Sequence, residues 1–171
     1  NGLTVAVNRD RQSKLAAENI LYKVGARNED PARTGFAHLF EHLMFRGTRD
    51  VPDFDLPVQM ACGDNNAFTN NDYTDFYITL PKDNIETALW LEADRMTGLD
   101  ISPEALETEK RVVIEEYKQR YLNQPYGDQG MLLRSLAYTL VPYRWATIGL
   151  TPDDVARATI DEVRAFNLRW F

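Results

Sequence analysis

The stretch Phe36-Ala37-His38-Leu39-Phe40-Glu41-His42-Leu43-Met44 sets apolar residues around three side chains of metal chemistry. In a helix, His38 and His42 lie four residues apart and stack on one face. Two imidazoles so placed reach one ion at nitrogen–metal distances of about 2.0–2.1 Å. Glu41 leans toward the same face, placed to hold a water at that ion. These are the only two histidines in the 171-residue chain, which makes their adjacency pointed. Phe36, Leu39, Phe40, Leu43 and Met44 mark the helix as mostly buried. Imidazoles and a carboxylate are costly there unless paired or metal-bound. Gly35 and Gly47 bracket the segment, Gly47 as its C-terminal stop.

A catalytic zinc normally keeps three protein ligands and one open position. Cys62 is the only cysteine, so the third ligand must be a carboxylate. Residues 103–122, SPEALETEKRVVIEEYKQRYL with its preceding Ser102, read as a long helix. Leu106, Val113 and Tyr117 form its apolar stripe, with Val112 and Ile114 broadening it. Glu109 and Glu116 are two turns apart and share a face, which suits a ligand at Glu116 braced by Glu109. Glu107 and Glu115 fit a solvated surface, Glu107 pairing with Arg111. Spacing alone leaves Glu115 and Glu116 hard to separate.

Between these helices, Asn71-Asp72 supplies turn chemistry. It separates a short strand at residues 67–69 from a stronger one at 74–80, rich in Thr, Tyr, Phe and Ile, so a hairpin is predicted. Residues 3–7 and 19–24 read as two further strands, with a polar break at residues 8–10. Residues 81–97 read as an amphipathic helix with Ile85, Leu89, Glu92 and Met96 on one side. Pro125-Tyr126-Gly127 breaks the chain, and residues 131–140 begin another helix that Pro142 ends. Thr151-Pro152 predicts a helix start with Pro at its first position, and a last helix begins near Thr159. Strands early and helices late predict an α+β domain with a mainly antiparallel sheet packed against helices. No repeat or linker divides residues 1–171, so a single domain is expected.

HLFEH followed by LMFRGT, then GDNNAFTNNDYTDFYITLP and ETEKRVVIEEYKQ, resembles the M16 family of zinc metallopeptidases (pitrilysin, insulysin and mitochondrial processing peptidase). H-x-x-E-H is also the inverzincin order, the reverse of H-E-x-x-H. The resemblance runs nearly end to end and implies the fold of an M16 peptidase/LuxS-type metallohydrolase-like domain, truncated near its end. It implies one Zn²⁺ per chain held by His38, His42 and Glu116, and so chooses Glu116 over Glu115. It gives Glu41 the role of general base and pairs Glu109 with Glu116 in an E-x6-E motif. It further implies an edge strand on which substrate adds as a strand, with Asn66, Ala67 and Phe68 at the substrate backbone and Phe45 with Phe68 lining an apolar pocket. Cys62 stands where the family often has Gly and is expected to be small and buried. Arg46 stands where the family is often apolar or Lys.

The activity so implied is endopeptidase hydrolysis of unstructured or extended peptides by a metal-activated water. M16 enzymes close two halves around such a substrate, and an Arg-Tyr pair from the other half completes the site. A C-terminal half or partner subunit is therefore expected, and the chain alone should bind zinc but hydrolyse poorly. The alternatives are a non-catalytic M16-like binding or assembly module, which usually loses a motif residue, and a structural zinc site, which is usually Cys-rich. Composition agrees with a globular domain, at 44% hydrophobic and 26% charged residues. A net charge of −7 argues against nucleic acid and mildly favours basic peptides. No apolar run of membrane-spanning length occurs. The chain begins at Asn1 without Met, so trimming is expected and the compartment, periplasm or cytoplasm, stays open.

Overall fold

The structure is a computed structural model that describes residues 2–171. Three strands form one antiparallel sheet: β1 (Leu15–Tyr22), β2 (Asp64–Thr69) and β3 (Thr74–Pro81), in the order β1-β3-β2. The hairpin arises where Asn70 Oδ1 accepts from the backbone N–H groups of Asp72 and Tyr73 at 2.7 and 2.9 Å, closing a tight turn. Its first strand starts three residues earlier than the sequence predicts. β3 is central because Phe76, Ile78 and Leu80 all point to the helical side and are fully buried. β1 ends before Val24 and begins at Leu15, a shift toward the N-terminus of the predicted strand.

The predicted strand at residues 3–7 does not form. Val5 and Val7 are 72% and 87% exposed, and the segment has no strand conformation. Alternating Leu and Val favour a pleated ladder, but a strand needs a neighbour to satisfy its backbone.

The helices cover one face of the sheet. They are α1 (Phe36–Met44), α2 (Asp55–Met60), α3 (Ile85–Gly98), α4 (Pro103–Tyr117), α5 (Gln129–Ala137), α6 (Pro152–Ala156) and α7 (Ile160–Trp170). The α+β architecture with its antiparallel sheet is the one the sequence predicts. Every residue of α1 except His42 is buried, so this helix runs through the core rather than along its surface. It packs Leu39, Phe40, Leu43 and Met44 against Phe76 of β3 and Leu106, Val113 and Tyr117 of α4. A second cluster joins Val51, Phe54 and Val58 to Ile78, Leu80, Ala88 and Leu91.

Start signals are obeyed. Ser102 Oγ accepts from Ala105 N–H at 3.2 Å with Pro103 opening α4, and Thr159 with Glu162 forms a capping box at α7. Pro152 opens α6 after Thr151. Face assignments are less faithful. On α3 the buried side is Ala88, Leu91, Glu92 and Arg95, while Leu89 and Met96 are exposed. The Arg95 guanidinium pairs with Glu92 and lies over the rings of Phe76 and Phe54, 4.2 and 4.3 Å from their centroids. A neutralised guanidinium sandwiched by aromatics is tolerated in a core that a hydropathy pattern reserves for leucines. On α4, Val112 is exposed and does not broaden the stripe. Glu107 pairs with Lys110, and Arg111 reaches only the backbone carbonyl of Glu107. Cys62 is exposed, not buried, and has φ = 57°: the turn leaving α2 needs the left-handed region, where glycine is usual.

Candidate metal centre

The N-terminus of α1 is fixed before its histidines are placed. Gly35 has φ = 89°, and a Cβ there would meet the carbonyl oxygen of Ile148 at 2.7 Å. Buried Glu29 accepts from the backbone N–H groups of Gly35 and Ala37, each at 2.9 Å, and from Trp145 Nε1 at 3.0 Å. Its carboxyl oxygens satisfy otherwise orphaned donors at this end, while burial, against those hydrogen bonds, pushes its pKa up to about 8. Nothing in the local sequence flagged Glu29, because its partners lie in two separate segments, the start of α1 and Trp145.

From that anchored start, His38 and His42 project toward α4, their ring centroids 4.7 Å apart. Glu116 Oε2 lies 3.3 Å from His42 Nε2 and 3.8 Å from His38 Nε2. One donor atom from each of the three residues falls within 4.8 Å of the others. Two imidazole nitrogens and one carboxylate oxygen facing a common point are a donor set that suits zinc and leaves room for a fourth ligand. Glu115 is exposed and pairs with Lys118 at 2.5 Å, away from the histidines.

Around this triad the remaining atoms of His42 and Glu116 are paired, whereas His38 Nδ1 is buried with no hydrogen-bond partner among the described residues. His42 Nδ1 meets Glu109 Oε2 at 3.2 Å, and Glu109 Oε1 accepts from Arg46 Nε. Glu116 Oε1 pairs with Arg120 at 2.6 Å. Arg120 sits in a π turn, Lys118–Leu122, that widens the end of α4 just beyond Glu116. His42 is thus held with its Nδ1 turned to Glu109 and its Nε2 turned inward, the orientation a ligand imidazole needs. Glu109 faces the triad only through His42.

Burial disfavours charge on His42, but the hydrogen bonds it donates to Glu109 and Glu116 outweigh it and push its pKa up to about 9. Burial, and then the neighbouring His42, hold His38 down to about 4. Burial opposes ionisation of Glu109, but His42 and Arg46 keep its carboxyl below the usual range. The His42 hydrogen bond does the same for Glu116 against its own burial, helped by His38 and Arg120. The centre therefore concentrates negative charge around one cationic position. Glu41, on the same helix, is pushed up by burial and partly restrained by a hydrogen bond from Thr69.

The other predicted residues lie on and beside β2, which is an edge strand of the sheet. Asn66 and Phe68 are on its outer face, Phe68 being 43% exposed and stacked on Tyr73, whereas Ala67 and Thr69 point to the helices. Ala67 N–H is taken by the side-chain Oδ1 of Asn66 at 2.9 Å and not by a strand. Phe45 packs against the rings of Phe54 and Phe76 on the helical face. Phe45 is on the helical face and Phe68 on the outer face of β2, with no ring contact between them among the described residues. Thr69, Arg46 and Arg120 were not read as site residues from the sequence; the tertiary fold brings Thr69 to Glu41 and Arg46 to Glu109, while Arg120 meets Glu116 four residues before it.

The model of the Insulinase (Peptidase family M16) family matches residues 4–138 of the chain. The zinc protease PqqE of Helicobacter pylori is 33% identical over 174 residues, covering 100% of this chain and 39% of that protein. The solved structure of a protease from H. pylori superposes with a TM-score of 0.89 at 32% identity, over 94% of this chain and 39% of that one. The structure of an M16 inactive domain from Pseudomonas fluorescens, 18% identical over 92% of this chain and 39% of that one, shares the fold with a TM-score of 0.80. The chain thus spans about two fifths of the length of these relatives. Helices that join an H-x-x-E-H segment to a distant glutamate, on a sheet shared with these proteins, settle the classification: the chain belongs to peptidase family M16.

Proposed function

We propose that residues 1–171 form a single zinc-binding domain of an endopeptidase acting on unstructured or extended peptides. The observation that carries this reading is the convergence of His38, His42 and Glu116 donor atoms beside a buried Glu41. His38 Nε2, His42 Nε2 and Glu116 Oε2 would hold one Zn²⁺, which when bound supplies a Lewis acid for water and for the scissile carbonyl. Glu41 takes the proton of the attacking water and delivers it to the leaving amine, which departs neutral. Glu109 orients His42 through Nδ1, and Arg46 and Arg120 keep the two α4 carboxylates in place. The open edge of β2 would receive the peptide as an added strand, Asn66 and Ala67 meeting its backbone and Phe68 its side chains. Phe45 belongs with the core.

The chain spans two fifths of its relatives, and α5 presents Leu132, Leu133 and Leu136 to solvent. Both features fit a further half, in the same chain or a partner subunit, that closes over the site. No helix among the described residues is long and apolar enough to cross a membrane.

Metal analysis of the purified protein and of His42→Ala tests the metal: about one zinc per chain is expected, lost in the variant. Glu41→Gln should keep zinc and abolish cleavage of a disordered peptide; retained cleavage sinks the assignment of the base. Adding the second half in trans should raise the rate. A zinc-loaded, complete protein that cleaves nothing would favour a binding or assembly module.

A further inference from the structure

We infer that Thr69 is a positioning residue that aims the Glu41 carboxylate and ties that aim to the edge strand β2; this rests on the reading of Glu41 as general base. Thr69 Oγ1 donates to Glu41 Oε2 at 2.5 Å across the interface between β2 and α1. Among the described residues no other side chain or backbone group hydrogen-bonds this carboxylate, which is buried. With Oε2 engaged, the second oxygen is the one left to meet a water.

The hydroxyl is built to hold that direction. Thr69 pairs with Thr74 across the hairpin, their hydroxyl oxygens 3.3 Å apart. Thr74, fully buried, donates its single proton to the carbonyl of Val24 at 3.0 Å. Each hydroxyl has one proton, so that of Thr69 goes to Glu41 while Thr74 packs beside it without competing as a donor. β-Branching limits the χ1 of Thr69, so the direction of Oγ1 follows the strand. The strand end is itself braced: Ala26 N–H and Arg27 N–H donate to the carbonyls of Asn70 and Asn71 at 3.0 and 2.9 Å. A Cβ on Gly25 would meet Asn70 O at 2.4 Å, so the chain presses directly on the turn after Thr69. The base on α1 is thus aligned by the element whose outer edge is open to an incoming strand.

The test uses the complete protein carrying this domain, with Thr69→Val, Thr69→Ala and Thr69→Ser. The two hydroxyl-free variants should keep zinc content and KM and lose about 10- to 100-fold in kcat, the range typical of groups that orient a functional side chain. Thr69→Ser should stay within a few-fold of wild type. A crystal structure of Thr69→Val prepared without metal should show the Glu41 carboxylate turned from its position against β2. Wild-type kcat in a folded Thr69→Val or Thr69→Ala, or equal loss in Thr69→Ser, would overturn the inference. Loss of zinc in all three would also overturn it, by making Thr69 part of the metal site's framework. Glu41→Gln, measured alongside, reports separately on the general base: if it still turns over, that reading fails whatever Thr69 does.

Discussion

His42 spends one ring nitrogen on Glu109 and turns the other toward Glu116 and His38, so the chemistry of α1 is completed by α4. Removing the Glu109 charge weakens the acceptor that fixes this ring and sets an amide donor against either His42 or Arg46, which now share two carboxylate oxygens. Glu109→Gln should therefore bind zinc about 10- to 100-fold more weakly while leaving the three ligands in place. Competition with a fluorescent chelator reads this directly, and unchanged affinity would place Glu109 outside the metal framework. Glu115→Gln, one residue from the ligand but exposed and paired only with Lys118, should be indistinguishable from wild type in the same assay.

At the scale of elements, two buried acids do work that no local pattern announces. Glu29 holds the first N–H groups of α1, and Glu29→Ala would leave those of Gly35 and Ala37 buried without an acceptor. A loss of about 2–4 kcal/mol in unfolding free energy is expected, measured by urea titration. Glu18 on β1 lies against the Glu92–Arg95 pair of α3, and its Oε2 has no hydrogen-bond partner among the described residues. Burial first, then Glu92 and Asp75, push its pKa up to about 8, with Arg95 opposing. Because the folded-state pKa lies above the unfolded value, the native state holds this proton after the unfolded chain has released it. Its stabilising contribution is therefore full below about pH 4.5 and is lost as pH rises toward about 8. Glu18→Gln should remove that slope: relative to the variant, the wild type should lose stability between pH 5 and 8. Parallel curves would mean that Glu18 ionises normally in the fold.

For the whole molecule, the main cluster joining α1, β3, α4 and α7 is built of apolar side chains, not of metal ligands. Chelation should therefore lower the melting temperature through lost binding energy, yet leave the helical circular dichroism intact at 25 °C. Unfolding on chelation would instead mark a structural metal, in the manner of zinc fingers.

Two things were legible from residue order alone. One was local chemistry at helical spacing: His38, Glu41 and His42, the Glu109–Glu116 interval, and the caps at Ser102 and Thr159, since side chains within two turns meet however the rest folds. The other was the hairpin, whose Asn-rich turn and β-branched strand act within some fifteen residues. Faces and partners were not legible in the same way. Arg95 entered the core because aromatics from two other segments cover it, and residues 3–7 stayed irregular because strand propensity alone does not build a ladder. Residue order by itself determined the donor set and its helix. Only the tertiary structure decided that Glu116 and not Glu115 faces the histidines, and that Arg46 and Thr69 complete the centre at Glu109 and Glu41. Those contacts join residues far apart in the chain, and packing selects them, not spacing.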